Sequence, residues 1–146
     1  MAETVDSRAR TRAFARVMGP FFAIVPATVA LRPGQIEALL GGFFDNPAFT
    51  WIVGAILLFG GLLIIARHQI WRGAPAIVIS LLGWLLALRG IILLAAPELL
   101  ERAASAAMGI TGLITTGFGL FAAIGLWLTY VGWIAKAPGD PSSARA

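Results

Sequence analysis

"LLALRGIILLAAPELLERA", Leu85 to Ala103, sets one arginine inside a run of leucines and isoleucines, then meets a proline and turns amphipathic. Around this stretch the 146 residues are 59% hydrophobic and 12% charged, with a mean hydropathy of +0.88. A soluble domain is about half apolar and a quarter charged. The chain therefore reads as an all-α integral membrane protein, and its length leaves room for one compact bundle. A bilayer core about 30 Å thick needs roughly 20 apolar residues in a helix. Four segments approach that length: residues 13–31, 47–66, 74–96 and 110–135. They predict a four-helix bundle preceded by a basic segment, 1–12, and followed by a polar tail, 136–146.

The loops are short, so the distribution of basic residues sets the orientation. Arg8, Arg10, Arg12, Arg16, Arg67, Arg72, Lys136 and Arg145 fall on the side of the termini, and only Arg32 and Arg102 on the other. Glu37, Asp45, Glu98 and Glu101 lie with the latter pair; Glu3, Asp6 and Asp140 lie with the termini. Both termini are thus expected in the cytoplasm of a bacterium, with the chain crossing its inner membrane. Trp51, Trp71, Tyr130 and Trp133 sit near the span ends, where amphipathic rings settle. Trp84 and Trp127 lie deeper and are expected to pack between helices. The first segment also fits a secretory signal peptide, with Thr28 and Ala30 at the cleavage positions. If it is retained, Pro20 and Pro26 kink it.

Each outer loop has a proline-led amphipathic stretch. After Pro33 come Ile36, Leu39, Leu40, Phe43 and Phe44 on one face, with Gly41 and Gly42 expected to end the helix early. After Pro97, Leu99, Leu100, Ala103, Ala104 and Ala107 oppose Glu98, Glu101, Arg102 and Ser105. Both predict short helices lying in the outer membrane interface. The two units align at an offset of 64 residues: Pro33 with Pro97, Glu37 with Glu101, Gly61 with Gly125. This suggests a 2+2 repeat of span, interfacial helix and span. "LRGIILLAAPELLERAA" followed by "GLFAAIGLWLTYVG" resembles small, uncharacterised bacterial inner-membrane families, in which a helix ends in a proline-led loop and a Gly/Leu-rich helix returns. The resemblance covers the second half and implies architecture only.

In lipid, helices associate by close packing of small residues and by a few hydrogen bonds. Gly83, Ala87 and Gly90 form such a stripe on the third span, Thr115, Gly119 and Ala123 on the fourth, and Gly54 with Gly61 on the second. They suit either the bundle interior or a homodimer interface. Arg89 must be satisfied, because an intramembrane charge is costly and by default functional. Glu98, Glu101 or Glu37 could pair with it if it snorkels outward, and Thr115 or Thr116 if it turns inward; it then either clamps the outer helices or binds an anion. His68, in "ARHQIWRG", reads as an interfacial polar residue. Arg8, Arg12 and Arg16, spaced at helical fours, read as contacts to anionic lipid headgroups.

The chain has no cysteine and one histidine, which excludes disulfides, thiolate chemistry and paired-histidine sites; no cofactor or metal is expected. No span contains a carboxylate, and no nucleophile, base and orienting acid occur together, so no enzymatic activity is expected. The basic residues gather at span ends, without the hydrophilic patch that nucleic acid would need. Two functions remain: an accessory or structural membrane protein, alone or within a larger membrane complex, or a small dimeric transporter. Small multidrug exporters of this size use a membrane-embedded glutamate. Here the buried charge is positive, which points to anionic or lipid-like substrates.

Overall fold

The computed structural model describes residues 2–110 and 112–135, with side chains from residue 6 onward. Among these the chain is helical, without strands: α1 (Ala2–Ala30), α2 (Ile36–Phe44), α3 (Pro47–Arg67), α4 (Ala74–Ala95), α5 (Pro97–Met108) and α6 (Leu113–Thr129). A 3-10 turn, Pro33–Gln35, leads into α2, and a π-turn, Tyr130–Ile134, extends α6. Four helical segments are long and apolar enough to cross a membrane: Asp6–Ala30, Pro47–Arg67, Ala74–Ala95 and Leu113–Ile134. Their ends follow local chemistry. Pro47 opens α3 behind Asn46, whose side chain accepts from the Phe49 amide at 3.1 Å. Pro97 opens α5 with Glu98 in its first turn, where a negative charge meets the positive helix end. Gly73 and Gly112 precede α4 and α6 with φ of 88° and 80°, a region closed to most side chains.

Two expectations are corrected here. Gly41 and Gly42 do not stop α2, which runs through them to Phe44. The Thr50 hydroxyl donates to the Phe43 carbonyl at 2.7 Å and ties that last turn to α3. Trp84 and Trp127 do not pack between helices; both face outward, with 51% and 38% of their surface exposed. They join Phe59, Leu62, Leu88, Leu120 and Leu126 in an apolar outer surface far larger than a soluble monomer carries.

Four of the six helices form two close pairs, α1 with α6 and α3 with α4. Each pair closes on a glycine. A methyl group at Gly61 would collide with the backbone of Ala87, and one at Gly125 with the backbone of Ala23. Those two contacts are related by a shift of 64 residues in both partners. The same shift relates the buried core in pairs: Ala15 with Ile79, Met18 with Leu82, Ile64 with Leu128. It also relates two polar contacts. Ser80 donates to the His68 carbonyl at 3.1 Å, and Arg16 donates through Nε to the Gly132 carbonyl at 2.9 Å.

Both pairs meet in the half of the bundle nearest the termini, where Ala15, Met18, Ile64, Ile79, Leu82 and Leu128 form the core. Toward the opposite, distal end the pairs separate, and α2 and α5 cover the gap between them.

Candidate functional site

The gap is a cavity of about 650 Å³. Val29 of α1, Phe49, Val53 and Leu57 of α3, Leu93 of α4, and Ile114 and Phe118 of α6 supply its walls; Leu39, Leu40 and Phe43 of α2 with Ala104 and Ala107 of α5 cover it. Arg89 is the one charged residue among those lining it. It reaches the cavity because Ala87 and Gly90 point at α3, and a residue between them on a helix lies to the side of that contact. Among the described residues Arg89 has no ion pair and no side-chain hydrogen bond; the one ion pair there joins Arg10 to Asp6 at 3.1 Å.

The expected partners of Arg89 lie elsewhere. Glu98 and Glu101 line a separate cavity of about 270 Å³ between α3, α4 and α5, with Thr50 and Trp51. Glu37 is exposed on α2. Thr115 and Thr116 are not in the cavity wall, to which α6 contributes Ile114 and Phe118 instead. Lys136, Asp140 and Arg145 lie outside the described residues.

The packing residues divide. Gly54, Gly61, Gly83, Ala87 and Gly90 all lie in the α3–α4 contact. On α6 the predicted stripe is corrected: Gly119 has open space where a Cβ would stand, and Ala123 is exposed. The contact face is Phe121, Ile124, Gly125, Leu128 and Gly132, spaced as one side of a helix. Small residues are so frequent in this span that two faces carry a plausible stripe; the partner helix selects one.

At the other end of the bundle a second polar site surrounds His68. The ring is 1% exposed, so it is buried and not an exposed interfacial side chain. Nε2 lies 3.0 Å from the Thr11 hydroxyl and Nδ1 3.3 Å from the Ser80 hydroxyl. Phe14 meets the ring edge-on, with centroids 5.2 Å apart. Burial pushes the imidazole below its usual pKa; a backbone hydrogen bond opposes this, and the charge of Arg10 adds to it. One nitrogen of a neutral ring donates and the other accepts. Ser80, which also lies within reach of the His68 and Ile70 carbonyls, can serve either role. The site joins α1, α3 and α4 at one point. Nothing in the sequence ties Thr11 to His68, 57 positions apart.

Two residues of the basic stripe on α1 also bond within the chain. Arg12 donates to the carbonyls of Gly132 and Ala135, and Arg16 donates to Gly132 while its guanidinium lies 5.7 Å from the Trp133 ring centroid. Two of the three arginines thus satisfy the carbonyls that end α6, where positive charge meets the helix dipole. Arg8 is exposed.

No three His, Cys, Asp or Glu side chains gather among the described residues to hold a metal ion. No family model, curated protein or solved structure matches the chain.

Proposed function

We propose that the chain is a multi-pass protein of a bacterial inner membrane, with both termini in the cytoplasm, that acts without catalysis as an accessory component of a membrane complex or of the lipid around it. What supports an accessory role is the use of its polar groups. His68, Ser80, Thr11, Thr50, Arg12 and Arg16 all hold one helix to another or to a backbone carbonyl, which is the economy of a scaffold. The orientation rests on the arginine distribution, and α2 and α5 then lie at the outer interface. Purification in mild detergent, with identification of what co-elutes, tests the role: a stoichiometric partner supports it, and its absence from every extraction overturns it.

The contact pairs at an offset of 64 residues support a second element of the reading, that the two halves are copies of one unit of span, short helix and span in the same orientation. In transporters built from such parallel repeats, the substrate site lies at the interface of the halves. The Arg89 cavity is lined from both halves, by Val53 and Leu57 of the first and by Arg89 and Ile114 of the second. This favours, as the second reading, a small transporter of anionic or lipid-like substrates, acting as a homodimer. It predicts a dimer whose melting temperature rises with such a ligand.

A further inference from the structure

We infer that the Arg89 cavity binds a long-chain fatty acid, its carboxylate on the Arg89 guanidinium and its aliphatic chain between the two helix pairs. The inference deepens the transport reading by naming a ligand class, and it rests on the membrane placement of the four helices.

Three observations carry it. The cavity volume of about 650 Å³ lies within the roughly 300–1,000 Å³ of small-molecule sites. One methylene takes about the volume of a water molecule in the liquid, roughly 30 Å³, so a chain of about sixteen carbons needs about 500 Å³. The walls offer this chain side chains of Val, Leu, Ile and Phe. A hydrophilic solute would lose its water there without replacement.

The second observation is the single charge. Arg89 lines the cavity without an ion pair among the described residues, and Glu98 and Glu101 face a different cavity. A guanidinium presents a planar pair of donors that matches a carboxylate in two parallel hydrogen bonds. An anionic head therefore completes the site in a way that a neutral one does not.

The third is depth. Arg89 lies six residues before the end of α4 at Ala95, about 9 Å along the axis at 1.5 Å per residue. Its long side chain can keep its methylenes in hydrocarbon while the guanidinium rises toward the interface. A head held there leaves the rest of the cavity for the tail. In the first half the position equivalent to Arg89 is Val25, which is not among the lining residues, so the cavity carries its charge on the α4 side alone.

The test uses the full chain, purified in a nonionic detergent and examined by native mass spectrometry with hexadecanoate, hexadecanol and acetate. The expected result is one hexadecanoate per chain, bound at least about tenfold more tightly than hexadecanol, with no acetate retained. Arg89→Leu should abolish the preference for the acid over the alcohol. Ala107→Trp, which fills the cavity from α5 and leaves Arg89 in place, should reduce both ligands about tenfold. Equal binding of acid and alcohol to the wild type overturns the inference, as does hexadecanoate binding unchanged by Ala107→Trp. Retention of acetate would mean an anion site without a lipid tail and overturns it equally. If the chain fractionates into the aqueous phase without detergent, the membrane placement fails first. A membrane-bound chain that ignores hexadecanoate sinks the ligand alone.

Discussion

The indole N–H of Trp133 donates to the carbonyl of Arg16 at 3.2 Å, and that carbonyl is the one Pro20 leaves without its intrahelical donor. Arg16 returns the contact, donating to Gly132 and covering the Trp133 ring. A helix that loses a bond to proline must find another donor in a membrane, where water does not supply one. Trp133→Phe keeps the ring and removes that donor. We expect it to destabilise the α1–α6 pair by about 1 kcal/mol, read as a lower melting temperature in mild detergent. An unchanged value would show that the Arg16 carbonyl is satisfied elsewhere.

The two close-approach glycines make paired predictions. Gly61→Val and Gly125→Val each drive side-chain atoms into a facing backbone, at a cost of about 1–3 kcal/mol or more. Both variants should accumulate poorly in membranes and elute broadly in size-exclusion chromatography. Gly119→Val meets open space within the chain and should behave as wild type. Damage from Gly119→Val equal to that from Gly125→Val would mean that a second chain covers this face, as a homodimer requires.

His68 predicts a pH dependence with a definite sign. Burial lowers its folded pKa below the usual value of about 6.5, so the unfolded chain takes up the proton first. Stability should be full above about pH 6.5 and decline as the pH falls toward the folded value. His68→Gln should flatten that profile between pH 5 and 7. Thermal melts across this range decide it, and a wild-type profile that rises on acidification would contradict the assigned cause.

Orientation has its own check. Reporters active on only one side of the membrane, fused to each terminus, should both read as cytoplasmic. A periplasmic signal from the C-terminal fusion would remove the outer placement of α2 and α5 and invert the depth assigned to Arg89.

The spans were legible because runs such as "VGAILLFGGLLIIA" outweigh every local propensity, and Pro47 and Pro97 punctuate them cleanly. Arg89 was legible as an exception to that hydrophobicity. Its surroundings were not, since Arg89 and Glu101 are near in sequence yet line different cavities. The environment of His68 depended on Thr11 and Ser80 from two other helices. For α6, spacing alone could not separate Gly119 from Gly125, because both recur with helical period and only one faces Ala23.

Because α1 closes on α6 as α4 closes on α3, the turn between Arg67 and Gly73 has a counterpart where α1 passes the end of α6, with Arg12 reaching the Ala135 carbonyl. A circular permutant joined at that place and opened between Arg67 and Gly73 would follow the same path in space. The four long helices would then keep their neighbours, α1 beside α6 and α3 beside α4, under either order of connection.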